Sequence, residues 1–298
     1  MTKALRLGFV DVFDGVQDYF VDLLRPKYEI TLDNANPQVL IFGDENFGND
    51  NTNYDPSKVF KLFYTGENRR YWNYACHAAC TFDHIDTNQH FRIPLYMLNM
   101  HYHLKKFGLM WEDEWNNRQN NFDIEEFKSR QFCGYVQSNP SQVKRNEMFT
   151  KISELFGQVR SGGPHLNNIG YVIPRGEDGI EQKMNFLREH QFTLAFENSQ
   201  YPGYATEKLI EAYLSGTIPL YWGSPTVEFD FNFAGFINWH AAKSDQGFLD
   251  YIAMVFTDDK FMELKMKQPL FTVRQVANMS KLPEQFRIWF DANVYKQL

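Results

Sequence analysis

The sequence predicts an α/β protein built from two Rossmann-like domains that face each other across a cleft. Strand and helix patterns alternate along most of its 298 residues, which is typical of parallel sheets covered by helices. The chain is too long for one small core and long enough for two α/β domains of ordinary size. We expect an N-terminal domain over residues 1–122 and a C-terminal domain over residues 123–298, whose last helices pack back toward the first domain.

Composition excludes several classes of protein. Charged residues make up 22% of the chain and hydrophobic residues 43%, and the net charge of −7 gives no reason to bind nucleic acid or an anionic membrane. No apolar run approaches the roughly 20 residues of a membrane span, and the N-terminus lacks the pattern of a signal peptide. We therefore expect a cytoplasmic protein without a transmembrane segment, at most peripheral at the inner face of a bacterial membrane. The sequence does not predict the oligomeric state.

The first half carries six strand-like segments and one helical segment. The expected strands are Arg6–Val12, Tyr28–Leu32, Val39–Gly43, Lys61–Tyr64, Ala75–Phe82 and Phe91–Leu95, and the expected helix is Gly15–Leu24. The polar, charge-rich stretch from Tyr102 to Phe127 is expected to join the two halves.

The second half continues with helix–strand alternation and ends in helices. Helix Arg145–Phe156 is expected to lead into strand Gln158–Arg160, and helix Gly179–His190 into strand Phe192–Phe196. Helices are expected near the C-terminus at Gln246–Thr257, Asp258–Met266 and Leu282–Asn293.

The segment Phe196–Ser224, FENSQYPGYATEKLIEAYLSGTIPLYWGS, is the most informative part of the chain. It predicts a strand end, a loop, a helix capped by Thr206 and ended by Gly216, and a second strand at Ile218–Trp222. Such βαβ units bind ligands at the first loop and the helix N-terminus, where unpaired N–H groups attract anions. Lys208 adds a full positive charge there, so the residues alone predict a site for phosphate or diphosphate.

The same segment resembles the donor-binding motif of the tenth glycosyltransferase family, the α1,3-fucosyltransferases, in its bacterial branch. Further segments agree with the family in order and spacing, so that the resemblance covers about residues 5 to 275. They are FYTGEN (Phe63–Asn68), FRIPLYM (Phe91–Met97), SNPSQVKRNEMF (Ser138–Phe149) and GGPHLNNIGY (Gly162–Tyr171). The resemblance implies a GT-B arrangement, with the acceptor on the N-terminal domain and the nucleotide sugar on the C-terminal one.

The activity that the resemblance implies is inverting transfer of L-fucose from GDP-fucose. The implied acceptor is an oligosaccharide or glycolipid, by default the 3-hydroxyl of N-acetylglucosamine in galactose-β1,4-N-acetylglucosamine (Lewis x type), with the glucose of lactose second. Linkage to the 3- or the 4-hydroxyl stays open. The acidic run Glu112–Glu114 lies in the expected linker and not at a strand end. We therefore expect no essential cofactor, and a divalent cation such as Mn²⁺ would at most stimulate.

Five residues are candidates for holding the donor. Lys208 and Arg145 suit the diphosphate, since a lysine adds charge at the helix start and an arginine can grip two phosphate oxygens. The resemblance implies that Asn198, Tyr204 and Glu207 also contact the donor. Asn198 could instead stabilise its turn, and Glu207 could simply suit the helix N-terminus.

Glu67 is the candidate general base. It follows a strand and Gly66, a residue that permits a sharp turn, and FYTGEN resembles the segment that holds the family's proposed catalytic carboxylate. Its pKa is expected to rise when the site closes around it. Tyr71 and Trp72 are candidate stacking platforms for the acceptor, with core packing as the alternative.

Three other interpretations were weighed. A GT-B transferase for another sugar nucleotide would keep the diphosphate site but should lack the full EN…GY.TEK pattern. A silent binding protein should have lost the base or the phosphate cations, whereas Glu67, Arg145 and Lys208 are all present. A nucleic-acid-binding protein is disfavoured by charge, so the enzyme is the favoured interpretation and the first two remain its alternatives. Zinc binding by Cys76, His77, Cys80 and His84 is disfavoured because one strand over Tyr74–Asp83 would place His77 opposite the cysteines. The loop Asp11–Asp14 departs from the family and is expected to face the acceptor.

Overall fold

The computed structural model describes residues 3–108 and 122–298. Its contacts divide the chain into two compact units, one formed by Met1–Gly108 with Val276–Leu298 and one by Leu109–Gln275. The last 23 residues therefore group with the first unit, whereas the sequence-based division counted them in the second domain. The acidic run Glu112–Glu114 lies outside the described residues. Within the described ranges, no helix has the length and apolar content needed to cross a membrane.

Strands and helices alternate through both units. The strands are β1 Lys3–Val10, β2 Tyr28–Leu32, β3 Val39–Phe42, β4 Phe60–Tyr64, β5 Ala78–Thr81, β6 His90–Arg92, β7 Gln131–Tyr135, β8 Val159–Ser161, β9 His190–Phe196, β10 Ile218–Trp222 and β11 Ile237–Asn238. The helices are α1 Val16–Leu24, α2 Leu95–Phe107, α3 Ile124–Ser129, α4 Val143–Phe156, α5 Glu177–Arg188, α6 Lys208–Leu214, α7 Trp239–Ala242, α8 Asp245–Thr257, α9 Asp259–Met266 and α10 Val273–Asn293.

The first unit is a six-stranded sheet in the order β2-β1-β3-β4-β5-β6, in which every pairing is parallel. The end of α10 covers part of it: Phe286 and Phe290 are fully buried, and the Phe286 ring contacts Phe20. Asp291 on the same helix accepts a hydrogen bond from the Tyr28 hydroxyl at 3.0 Å and forms an ion pair with Lys3. These contacts explain why the C-terminal segment belongs to this unit.

The second unit is a five-stranded parallel sheet in the order β11-β10-β9-β7-β8. Strand β9 is buried along its whole length, as expected for a parallel strand covered by helices on both faces. The predicted unit β9-α6-β10 is present, and β10 has the predicted bounds. The predicted fold class, two Rossmann-like α/β domains, is confirmed.

Several expectations about individual elements were wrong. Strand β7 was not predicted, because QFCGY is short, begins with an exposed glutamine and contains Gly134. That glycine is required by packing, since a Cβ there would lie 2.9 Å from His190 Nδ1. The run Phe91–Leu95 is a strand only to Arg92; Pro94 then precedes α2, whose last residues enter the expected linker.

The corner after β1 is braced by a buried carboxylate. Asp11, at a φ of 55°, accepts hydrogen bonds from the backbone N–H of Asp50 (2.9 Å) and of Asn51 (2.8 Å) and from the Asn51 side-chain amide (2.9 Å). Gly48 allows this approach, because a Cβ there would lie 2.5 Å from Asp11 Oδ1. The Asp11 side chain therefore shapes this loop, while Asp14 at its other end is exposed.

Replacing Asp11 with alanine should destabilise the protein by about 2–4 kcal/mol, because two backbone N–H groups and a side-chain amide lose their buried acceptor. Asp14→Ala in the same loop should stay within about 0.5 kcal/mol of the unmodified protein. The measurement is urea denaturation followed by circular dichroism. Equal midpoints for the two variants would contradict the bracing role.

Candidate functional site

The candidate site lies at the carboxyl ends of the strands in the second sheet. From β7 the chain moves to β8 on one side and then returns to β9 on the other, so the strand order reverses between β7 and β9. Open α/β sheets bind ligands in the crevice at such a point. Tyr135 ends β7 there, and Glu197 directly follows β9.

Glu197 is the centre of the site's hydrogen bonding. It is fully buried, and its carboxylate accepts from the Thr206 backbone N–H at 2.8 Å and from the Thr206 hydroxyl at 2.6 Å. The ammonium of Lys208 lies 3.0 Å from its Oε2 atom. Burial raises the pKa of Glu197, although Lys208 and Thr206 act in the opposite direction. From the sequence alone, this residue is placed at a strand end and no functional role is predicted for it.

Thr206 is therefore not the predicted helix cap. Its side chain is turned to Glu197, and α6 begins at Lys208 after Glu207, which has helical dihedral angles and makes no side-chain cap hydrogen bond. The predicted C-terminal end of the helix is closer to the structure. Helix α6 ends at Leu214, Ser215 is its C-cap, and Gly216 follows with a φ of 68°.

Lys208 is held by two carboxylates. Besides Glu197, Glu207 Oε1 lies 3.1 Å from Lys208 Nζ. Burial alone would lower the pKa of Lys208, but the two glutamates raise it above its ordinary value. For Glu207 the effects are reversed: burial alone would raise its pKa, but the charges of Lys208 and Lys183 lower the pKa to about 2. Both groups are thus charged near neutral pH.

A second cation–carboxylate pair, absent from the sequence predictions, adjoins this one. Lys183 on α5 forms an ion pair with Glu211 on α6, and its Nζ lies 3.9 Å from Glu207 Oε1. Burial raises the pKa of Glu211 even though Lys183 opposes it. A lysine five residues from the end of α5 gave no pattern that could have indicated this pairing.

Arg145 is the cation with spare donors. It is fully buried on α4, and its Nη2 donates to the carbonyl oxygen of Asn139. Its Nε and Nη1 have no hydrogen-bond partner among residues 3–108 and 122–298. Burial lowers the pKa of Arg145, whereas Tyr135, Glu197 and Glu207 act to raise it, which places it in the same electrostatic cluster. Buried N–H groups without acceptors are rare and costly, so this guanidinium is suited to an added anion.

The loop between β9 and α6 brings Asn198 and Tyr204 together. The buried Tyr204 hydroxyl donates to Asn198 Oδ1 at 2.7 Å, and the Asn198 carbonyl accepts from Gln142 Nε2 at 3.2 Å. Gln142 is the residue before α4, the helix that carries Arg145. All five predicted donor residues therefore belong to this end of the second unit.

The site offers Arg145 donors that are unsatisfied among the described residues, and these suit an anion. Within the described part of the chain, no group of three or more His, Cys, Asp or Glu residues is arranged to hold a metal ion. The residues considered as zinc ligands have other surroundings. Cys76 lies before β5, Cys80 is buried within β5, and His77 Nδ1 accepts a hydrogen bond from the Lys61 N–H at 2.8 Å.

Glu67 lies in the first unit, directly after the strand β4 and the turn Thr65-Gly66. Its backbone N–H donates to the Thr65 hydroxyl at 3.0 Å, and that hydroxyl donates to the buried Asp44 carboxylate at 2.5 Å. A Cβ at Gly66 would lie 2.8 Å from Leu95 Cδ1, so a larger residue there would have to displace the end of that side chain. The half-buried Glu67 thus lies on a loop whose backbone is held by hydrogen bonds to Thr65 and, through it, to Asp44.

The two candidate stacking platforms differ. The Tyr71 ring stacks on His90 with 5.5 Å between centroids, so it takes part in packing. Trp72 is 57% exposed and presents a large aromatic surface.

Comparison with known proteins agrees with this architecture. Residues 6–99 match the family model described as alpha-(1,3)-fucosyltransferase FucT N-terminal domain, and residues 125–267 match glycosyltransferase family 10 (fucosyltransferase) C-term. The alpha-(1,3)-fucosyltransferase FucT of Helicobacter pylori is 33% identical over 282 residues, which are 86% of this chain and 56% of that protein. The chain thus spans about half the length of this curated relative.

Solved structures give the same result. A crystal structure of an alpha1,3-fucosyltransferase matches with a TM-score of 0.75 and 25% identity, over 97% of this chain and 92% of that one. An alpha1,3-fucosyltransferase with GDP-fucose matches with a TM-score of 0.73 and 26% identity, over 97% and 91% of the two chains. The structural matches support the GT-B fold, and the two family models show that the chain belongs to glycosyltransferase family 10, the fucosyltransferases.

Proposed function

We propose that this chain transfers L-fucose from GDP-fucose to the 3-hydroxyl of N-acetylglucosamine in galactose-β1,4-N-acetylglucosamine. Glucose in lactose is the second acceptor. The relatives named above support the donor and the linkage. The acceptor follows from the family resemblance of the sequence.

The observation that carries the proposal is the unsatisfied guanidinium of Arg145. Two of its buried nitrogen atoms lack an acceptor among residues 3–108 and 122–298, beside a cluster in which Lys208 is already paired with carboxylates. A diphosphate supplies several anionic oxygens and can satisfy donors of this kind in a bidentate manner. The point of strand-order reversal is also where α/β sheets bind nucleotides.

In the proposed reaction, the acceptor oxygen attacks the anomeric carbon of fucose while the bond from that carbon to the diphosphate breaks. GDP leaves with the electron pair, the acceptor proton passes to Glu67, and the anomeric configuration inverts. Arg145 and Lys208 stabilise the growing charge on the diphosphate. Glu207 offsets cationic character at the sugar ring or accepts from its hydroxyls, and Asn198 and Tyr204 contact the donor.

No metal is essential in this proposal, because the cluster's own cations supply the positive charge that GDP needs on leaving. A divalent cation such as Mn²⁺ would only stimulate. Transfer to N-acetyllactosamine, lactose and the β1,3-linked isomer, each with and without EDTA, tests acceptor and metal together. Activity abolished by EDTA and restored by Mn²⁺ would contradict this part, and absent transfer with retained GDP binding would favour another acceptor or a silent binding protein.

Glu67→Gln should lower kcat for fucose transfer by about 10²- to 10⁴-fold, because a positioned general base contributes that much. GDP binding, measured by calorimetry, should be unchanged. Glu29→Gln, at an exposed position in β2 of the same unit, is the control and should keep full activity. Retained activity in Glu67→Gln would assign the base to another residue.

Lys208→Met should weaken GDP binding and also destabilise the protein by about 3–5 kcal/mol, since it leaves Glu197 buried without its cation. Adding Glu197→Gln removes that unpaired charge, so the double variant should regain stability. It should not regain GDP affinity, because the cation that meets the diphosphate is still absent. Calorimetry and urea denaturation of the three proteins separate these effects; recovery of affinity in the double variant would argue against a direct role for Lys208.

A further inference from the structure

A third hydrogen-bond donor without a hydrogen-bond partner among the described residues lies in the same cluster. The hydroxyl of Tyr135 is buried and has no hydrogen-bond partner among the described residues, although Tyr135 itself is only 1% exposed. Other buried tyrosines at this end of the sheet are satisfied: Tyr204 donates to Asn198, and the Tyr221 hydroxyl accepts from the Ser224 N–H at 3.0 Å. A buried hydroxyl without a partner costs free energy unless something else satisfies it.

The position of Tyr135 is the one at which a ligand is expected. It is the last residue of β7, and β7 pairs with β8 on one side and β9 on the other, so it stands at the reversal of strand order. Its ring contacts Phe149 on α4, the helix that also carries Arg145, with 5.4 Å between ring centroids. Packing thus fixes the ring and leaves the hydroxyl as the part without a structural role.

The electrostatic surroundings of the hydroxyl are cationic. Burial raises the pKa of Tyr135 to about 12, and the charges of Arg145 and Lys208 are the groups that oppose this rise. The phenol is therefore protonated near neutral pH and able to donate. Among the described residues, the three buried donor atoms Tyr135 Oη, Arg145 Nε and Arg145 Nη1 lack acceptors, while the nearby carboxylates of Glu197 and Glu207 are engaged with Lys208.

We propose that Tyr135 is a further donor-binding residue, whose hydroxyl donates a hydrogen bond to the diphosphate of the nucleotide sugar together with the Arg145 guanidinium. This inference rests on the proposed function in its choice of GDP as ligand. The Tyr135 hydroxyl would add a neutral hydrogen-bond donor beside the charged side chains of Arg145 and Lys208. It lies on β7, a strand that the sequence did not predict.

The test is calorimetric binding of GDP and of guanosine to Tyr135→Phe at fixed salt. GDP affinity should fall by about tenfold to 100-fold, as expected for one hydrogen bond to a charged acceptor. Guanosine affinity should be unchanged, because guanosine has no phosphate. The urea midpoint without ligand should be equal to or above that of the unmodified protein, because the lost hydroxyl made no hydrogen bond.

Tyr64→Phe is the matched control, since the Tyr64 hydroxyl is also buried and without a partner among the described residues but lies in the first unit. This variant should bind GDP as the unmodified protein does. Unchanged GDP affinity in Tyr135→Phe, or equal losses for GDP and guanosine, would overturn the inference.

Inorganic pyrophosphate separates this inference from the proposed function. If the unmodified protein binds pyrophosphate but not GDP, the proposed donor is wrong; weaker pyrophosphate binding in Tyr135→Phe would then still support the anion contact. If the unmodified protein and Tyr135→Phe bind pyrophosphate equally, or if neither binds it, the contact of Tyr135 with the anion is overturned.

Discussion

The buried carboxylate of Glu197 is the group on which the candidate site depends. It follows a strand buried along its whole length, and it holds both donors of Thr206 and the ammonium of Lys208. These contacts replace an ordinary helix cap, so they set where α6 starts and direct Lys208 toward the end of the sheet. Gly223 on the neighbouring segment is part of the same constraint, because a Cβ there would lie 2.4 Å from Glu197 Cγ.

Three cations and three carboxylates balance in this cluster, so hydrogen-bond donors unsatisfied among the described residues, and not a missing charge, are what favour a ligand. Lys208 and Lys183 are matched by three glutamates, at positions 197, 207 and 211, with distances short enough to offset part of the desolvation cost. Within the described part of the chain, Arg145 donates to a backbone carbonyl, and its Nε and Nη1 have no acceptor. An anion with several oxygens can accept hydrogen bonds from these donors.

The sequence predicted the fold class and the unit β9-α6-β10 well, because long buried strands, a loop with Pro and Gly, and a short, largely apolar helix give strong local patterns. It missed β7 for the opposite reason: Gly134 and an exposed first residue hide a central strand that is specified by its neighbours, among them His190. Without β7 the reversal of strand order could not be located, so Tyr135 could not be singled out. Pairings such as Lys183 with Glu211 join two helices and leave no periodic trace in the sequence.

Carboxylates after parallel strands illustrate what sequence reasoning cannot separate. Asp11, Asp44, Glu67 and Glu197 all follow strands, and each could be taken for a catalytic acid or base. In the structure Asp11 and Glu197 accept from backbone N–H groups and shape loops, and Asp44 holds the Thr65 hydroxyl. A series of hydrogen bonds runs from the backbone N–H of Glu67 through the Thr65 hydroxyl to the Asp44 carboxylate. The buried carboxylate of Asp44 thus fixes the loop that carries the carboxylate of Glu67. A strand-end acid is therefore assigned a role by what its oxygens accept, and only the three-dimensional structure supplies that information.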